Sequence, residues 1–288
     1  LSVRTTGTLN DVNGSRDRAI TRQVMQKAVK LSYPKVTANQ ELLHVVPQSY
    51  TVDAVHGIRN PAGLRGHQLT VESHAIIGEA ASLDNVVHAV ERAGIEVKAM
   101  VLEPLASAEA VLSADEREMG VVLVDIGGGT SDVAVFKNNV IAHTSVIPVG
   151  GFQFTNDIVV SLGVPYEAAE EAKLKYGDAL FDNHEYKETI EILGYEGEQP
   201  RVIRRREFCR LLHDRASELV RLVLYKMKEA GFETMPPGGI VFTGGGSNLR
   251  GLEELAREYI PGPIRLAPPR DILGLPEELK SPTYSTSV

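Results

Sequence analysis

The chain has almost no cysteine, no apolar run as long as a membrane span and no excess of basic charge, and each shortage removes a class of protein. Cys209 is the single cysteine among 288 residues, so no internal disulfide can form. Set in an apolar helical pattern, it reads as a small core residue in a reducing compartment. No apolar run approaches the roughly 20 residues that cross a bilayer, and no secretory signal opens the chain. Lys and Arg number 30 against 38 Asp and Glu, a formal net charge of −8, which argues against a nucleic-acid partner. The 8 histidines are scattered without ligand spacing, so no metal cage is expected. The glycine-rich stretches lack the Lys-Ser/Thr that closes a P-loop, and none spells Gly-x-Gly-x-x-Gly. The length suffices for two domains with buried cores.

What is present centres on Val121–Phe136. An apolar β-branched run ends at Asp125, then Gly127, Gly128 and Gly129 follow, then Thr130 and Ser131, and an alternating run starts at Val133. This predicts a β-hairpin with a glycine turn. Glycines carry no side chain to hold a ligand away, so successive N–H groups can aim at one phosphate. Asp125 at the end of a buried strand needs a partner. Either it caps the turn, or a hydrated Mg²⁺ escorting a nucleotide answers its charge. Near the carboxyl end, Gly239–Leu252 repeats the pattern: a strand, then Gly244, Gly245 and Gly246, then Ser247 and Asn248 as N-cap types before Leu249, Leu252 and Leu255 at helical spacing. A glycine loop feeding a helix N-terminus favours an anion. Two such loops suggest two walls of one nucleotide cleft.

The remaining chain reads as follows. Leu1 to Ser15 is loop or loose strand. Ile20 to Leu31 is a short amphipathic helix capped by Thr21, with Val24, Met25, Ala28, Val29 and Leu31 near one face. Leu42–Val46, Tyr50–Val52 and Gln68–Ile77 are strands, with loops at Pro47 and from Gly57 to Gly66. Leu83 to Ala93 is a helix stopped by Gly94, and Val97–Leu102 returns to strand. Glu103 precedes a proline that opens a helix, where capping alone would explain it. Val140 to Val149 is a strand, and Gly150-Gly151 starts the helix Phe152–Leu162. In the helix from Pro165 to Asp178, Glu170–Lys173 and Glu171–Lys175 suit a solvated face. Asn183 to Gln199 is strand or loop. Arg201, Arg204, Arg205 and Arg206 suit a solvated strand edge, or a partner's acidic tail. Glu207 to Ala230 is the longest helix, and Ile264 to Ala267 is a short strand.

Several phrases resemble the bacterial cell-division FtsA family. Leu43–Asp53, Gly57–Leu64 and the helix ending Val90-Glu-Arg-Ala-Gly-Ile95 are similar to its inserted subdomain 1C. Leu102–Leu112 resembles the Glu-Pro-x-Ala-x-Ala connecting helix of actin-like ATPases, and residues 125–132 match their Asp-x-Gly-Gly-Gly-Thr-x-Asp phosphate loop. The resemblance implies an α/β, actin-like (ribonuclease H-like) ATPase fold with an inserted α+β subdomain. It divides the chain into 1–98 (1C), 99–120 (part of 1A), 121–164 (2A), 165–235 (2B), 236–270 (2A, with the adenosine loop) and 271–288 (return to 1A). It implies ATP or ADP with Mg²⁺, Asp125 facing the metal through water and Glu103 facing the γ-phosphate. Gly127, Gly128, Gly129, Thr130, Ser131, Gly150, Gly151, Gly244, Gly245, Gly246 and Ser247 would hold the nucleotide. Glu170 and Lys173 would reach the ribose and adenine edge.

By the same resemblance, turnover is weak, so the nucleotide acts mainly as a conformational ligand. The expected partners are further copies in a filament and the C-terminal peptide of the ring protein FtsZ. The protein is expected on the cytoplasmic face of the membrane at the division septum, through a C-terminal helix. A type IV pilus assembly ATPase-like module is an alternative, a sugar kinase or exopolyphosphatase a weaker one. The absence of an initiator methionine, of the first phosphate loop and of the membrane helix marks the chain as an expected fragment. As given, it is expected to bind nucleotide poorly and lipid not at all.

Overall fold

The computed structural model describes residues 2–12, 19–183, 187–197 and 199–288. The chain divides into two compact units: Leu1–Leu102 with Val140–His143, and Glu103–Asn139 with Thr144–Val288.

The first unit contains β1 (Ser2–Asn10), α1 (Arg22–Leu31), β2 (Gln40–Val52), β3 (Val55–Ile58), β4 (Gln68–Glu79) and α2 (Ala80–Arg92). Its four strands pair antiparallel in the order β1-β4-β2-β3. β4 alternates only at its start, where Leu69 and Val71 are buried, and from Ser73 to Ile77 every residue is buried, His74 and Ile76 included; Leu69 and Val71 pack with Ala28, Val24 and Met25 of α1. Thr21 caps α1 by accepting from Val24 N. The helix lies directly on β1 at Gly7, where a Cβ would stand 2.4 Å from Ala28 O; glycine in a strand often marks such a close approach.

Four expectations need correction here. Residues 2–10 form a regular strand paired along its length with β4, whereas 13–15 lie outside the described residues. Pro47 does not separate two strands: β2 runs through it, with the register shift of a bulge between Pro47 and Ser49, one of the few places where a strand tolerates the lost N–H. Leu31 is 54% exposed and lies off the packed face of α1. Residues 97–102 form no strand; the Leu102 N–H donates instead to His44 Nε2.

The second unit contains α3 (Glu103–Val111), α4 (Ala114–Met119), β5 (Val121–Ile126), β6 (Ser131–Lys137), β7 (Val140–Ile147), α5 (Gly151–Leu162) and α6 (Tyr166–Tyr176). There follow β8 (Thr189–Ile192), β9 (Arg201–Arg204), α7 (Arg205–Glu229), β10 (Ile240–Thr243), α8 (Leu252–Tyr259) and β11 (Ile264–Leu266). Within the polar stretch 183–199, residues 184–186 and 198 lie outside the described residues. The five-stranded sheet runs β11-β10-β5-β6-β7. β5 and β6 make the expected hairpin, and β10 lies parallel to both β5 and β11. Every residue of β5 is buried, as suits a central strand covered on both faces. The α7 stripe of Phe208, Leu212, Ala216, Leu219, Val223 and Met227 fills the core beside it.

The second glycine run departs from its expected form. A 3-10 turn (Gly245–Asn248) intervenes, and α8 starts at Leu252 with Gly251 in the left-handed region as its cap. Ser247 and Asn248 therefore cap no α-helix; the Ser247 hydroxyl turns back to Gly244 O at 2.7 Å.

A charged node fixes α4 against the carboxyl-terminal part of the unit. Glu116 completes a capping box with Ser113 and accepts from Arg265 (2.8 Å) and Arg270 (2.7 Å). Burial opposes the charge, but the Arg265 guanidinium and the Ser113 N–H outweigh it and bring the pKa down to about 2. A depressed folded-state pKa adds stability above the ordinary carboxylate range and loses it as pH falls toward 2. Glu116→Gln is therefore expected to lower the urea midpoint at pH 7, with the gap to wild type closing between pH 4.5 and 2. A gap independent of pH would contradict the ion-pair account.

Candidate nucleotide-binding site

Both glycine loops leave the same end of the sheet because β5 and β10 run side by side in one direction. Asp125 and Thr243 are register partners at that end, and a crevice outside the carboxyl ends of parallel strands is where open α/β sheets take ligands. The loops meet there in a cavity of about 740 Å³. Gly127, Gly128 and Gly129 line it from the β5–β6 turn, and Gly245 and Gly246 line it from the loop after β10. Gly151, Phe152 and Phe154 of α5, and Tyr166, Glu170, Lys173 and Leu174 of α6 with Gly177 beyond it, also line the cavity. So do Asn248, Leu249, Arg250 and Thr283. A volume of this size is that of a small-molecule site.

The first loop is held from behind. The Gly127 N–H bonds Thr130 O (2.9 Å), and the Gly151 and Phe152 N–H groups bond Gly127 O (2.9 Å) and Gly128 O (2.6 Å). Gly150 packs so closely that a Cβ would stand 2.7 Å from Gly127 O. Buried Ser131 donates to Val149 O at 2.7 Å. Among the described residues, no acceptor meets the N–H groups of Gly128 and Gly129, and a Cβ on either would find open space. These two amides therefore point no bond at the protein and can serve an anion.

Behind the loops lies a carboxylate group. Asp125 is 2% exposed, and its Oδ2 accepts from the hydroxyls of Ser107 on α3 and Thr286 (2.8 Å), which lie 2.7 Å apart. Asp132 is its register partner across the hairpin. Burial and then Asp125 raise the Asp132 pKa. Glu103, at the start of α3, is surface-exposed as a residue, but desolvation of its carboxyl and the charges of Asp132 and Asp125 raise its pKa to about 7. Among the described residues, no group of three or more His, Cys, Asp or Glu could ligate a metal directly.

Eight of the expected contact residues therefore line the cavity: Gly127, Gly128, Gly129, Gly151, Glu170, Lys173, Gly245 and Gly246. Glu103, Asp125, Thr130, Ser131, Gly150, Gly244 and Ser247 are not among its lining. Gly244, at φ +81°, approaches so closely that a Cβ would stand 2.3 Å from Asp125 Oδ1. Glu170 and Lys173 are not a freely solvated pair: Lys173 is 14% exposed and donates to Glu170 (2.7 Å), Thr155 Oγ1 (2.8 Å) and Gly151 O (3.1 Å), tying α6 to α5. Sequence reasoning missed Ser107, Thr286 and Thr283. The tail carries no periodic pattern, yet Pro282 O accepts from Gly244 N (3.1 Å) and Asn248 Nδ2 donates to Thr283 Oγ1 (3.1 Å). It also left Asp132 as a motif letter without a role, and did not single out Arg250.

Sheet order and paired glycine loops, beside an α+β first unit, define a protein of the actin-like ATPase fold. The structure resembles a PilM–PilN type IV pilus biogenesis complex (TM-score 0.63, 16% identity, 99% of this chain and 74% of that one). It also resembles MreB5 of Spiroplasma citri bound to ADP (TM-score 0.54, 22% identity, 72% of this chain and 63% of that one); at these identities the likeness concerns the fold. The family model described as Cell division protein FtsA matches residues 122–288, and the SHS2 domain inserted in FtsA matches residues 5–77. The chain belongs to the FtsA family of cell-division proteins. It is 39% identical over 277 residues to FtsA of Pseudomonas aeruginosa, covering 95% of this chain and 66% of that protein. To FtsA of Bacillus subtilis it is 34% identical over 267 residues, covering 93% and 59%. It thus spans just under two thirds of the length of the relatives it matches.

The raised pKa of Glu103 carries a sign. An acid whose folded-state pKa lies above its unfolded value costs stability as pH rises from 4.5 to about 7. Glu103→Gln should melt at a higher temperature than wild type at pH 8, and the advantage should vanish near pH 4.5. An advantage of the same size at both pH values would show that carboxylate repulsion is not its source.

Proposed function

We propose that this is a nucleotide-dependent actin-like cell-division protein in which ATP or ADP occupies the cavity between the two glycine loops. The observation that carries this is the convergence of Gly127–Gly129 and Gly245–Gly246 on one cavity, with unengaged amides on the first loop. Gly128 and Gly129 would cradle phosphate. Glu170 keeps Oε1 for a ribose hydroxyl, since Lys173 and Thr155 both donate to Oε2. The donor set fits a hydrated Mg²⁺ better than a directly ligated one: Glu103, Asp125 and Asp132 gather negative charge without a cation beside them among the described residues. Asp125, already accepting two hydroxyls, would hold it through water. When bound, the cation supplies neutralisation of phosphate charge. Glu103, at an ordinary pH partly protonated, would orient water near the terminal phosphate in its ionised form, which a cation's positive charge would favour.

In the same proposal the nucleotide works chiefly by shifting conformation, and the protein polymerises and anchors the FtsZ ring through the FtsZ C-terminal peptide and a membrane helix. Family membership supports this reading over a pilus-assembly module, whose likeness is one of fold. In a pull-down with the full-length protein, an FtsZ C-terminal peptide is expected to be retained and a pilin-assembly peptide lost; the reverse would overturn the choice.

Gly128→Val tests the cavity itself. Its Cβ meets nothing within 4 Å, so the fold should melt as wild type does. The branched side chain would occupy the phosphate position, and ATP affinity of the full-length protein should fall at least about tenfold, or 1.4 kcal/mol. Unchanged affinity, by calorimetry or a fluorescent analogue, would remove the first loop from the site.

A further inference from the structure

Two cationic side chains line the cavity, and they are not equivalent. An ammonium has three donors, and Lys173 directs its own at Gly151 O, Thr155 Oγ1 and Glu170 Oε2. Its charge is answered by Glu170 and its hydrogen-bonding capacity is spent inside the protein. Arg250 is the contrast. It lines the same cavity, is exposed, and among the described residues no carboxylate, carbonyl or ring engages its guanidinium. Its backbone is nevertheless fixed, because Arg250 O accepts from Ala179 N at 2.7 Å and Gly251 next to it is packed against Asp178 and Leu180.

The rest of the cavity lining indicates which part of a nucleotide Arg250 meets. The glycine amides occupy the phosphate role. The cavity also gathers apolar side chains that the fold leaves uncovered: Leu174 is 72% exposed, Phe152 51% and Tyr166 43%, with the two aromatic rings stacked at 5.6 Å. Exposed apolar surface concentrated in a cavity marks a place where a flat apolar group is covered. A planar guanidinium stacks on such a group as well as pairing with anions, which an ammonium cannot do.

Resting on the nucleotide reading given above, we propose that Arg250 is a specificity-determining residue that lays its guanidinium over the nucleobase, and that Lys173 is a positioning residue which braces Glu170 and touches no ligand. The cavity then recognises the base by stacking between α6 and the loop after β10, with Glu170 left to read ribose.

The test uses the full-length protein, with a fluorescent ATP analogue displaced by ATP or by inorganic tripolyphosphate, which has the phosphates but no base. Arg250→Ala should raise the Kd for ATP about tenfold, in the range found for removing one stacking partner, and leave displacement by tripolyphosphate unchanged. Arg250→Lys, which keeps the charge and loses the plane, should recover only a small part. Equal weakening of ATP and tripolyphosphate, or full recovery by lysine, would make Arg250 a phosphate contact and overturn the proposal. Wild-type protein that binds ATP and an Arg250→Ala variant that binds it equally would overturn this assignment alone. Wild-type protein that binds no ATP would overturn the nucleotide reading and this assignment with it.

Discussion

The parallel pairing of β5 with β10 is the constraint on which the rest depends. It sets Asp125 opposite Thr243, so two loops more than a hundred residues apart in the chain open at the same sheet end. Once they are there, the backbone at Gly244 runs against the Asp125 carboxylate, and Asp125 is left 2% exposed. A buried carboxylate is costly unless it is hydrogen-bonded. The hydroxyls of Ser107 and Thr286 meet that need from α3 and from the tail. Thr243 is secured in the same way, donating to Ala267 O at 2.8 Å with the Ser285 hydroxyl 2.6 Å away. The strand ends thus dictate where the helix before them and the tail after them must lie.

That arrangement couples the site to the tail. Residues 282–286 touch the second loop and the strand end that leads into the first: Pro282 and Thr283 hold the second loop, and Thr286 holds Asp125 near the end of β5. Thr283 also lines the cavity. A group that rearranged the second loop or the end of β5 would therefore have to be accommodated by the tail. Differential contact of this kind is what a conformational ligand requires.

The parts of the fold legible in the sequence were those written in local pattern. The Val121–Phe136 hairpin, the α7 stripe and the Thr21 cap each rest on residues a few positions apart, and each is found where its pattern places it. Pro47 misled because a proline usually ends a strand, and only tertiary pairing shows that a bulge absorbs it. Residues 97–102 have strand composition but no strand to pair with, and their Leu102 N–H goes to a histidine side chain. The candidate site was legible where glycine runs announce it. Ser107 and Thr286, 179 positions apart, were not, because serine and threonine carry no periodic signal.

The two triglycine runs look alike in sequence but are glycine for different physical reasons. In the second run, Gly244 has φ +81° and no room beside Asp125, and at Gly246 a Cβ would stand 2.4 Å from Ile126 Cγ2. Packing against the end of β5 alone requires glycine at both. In the first run, Gly128 and Gly129 have open space where a side chain would go and no left-handed backbone to justify them. Larger residues would fit the fold at those two positions and would also reduce the conformational freedom lost on folding. Stability leaves their glycine character unexplained, and the proposed nucleotide, approaching the backbone, would account for it. The same division separates the cations: Lys173 is consumed by the scaffold and Arg250 is not. What distinguishes a contact residue here is whether the protein itself already uses its groups, and residue type or motif position alone does not reveal that.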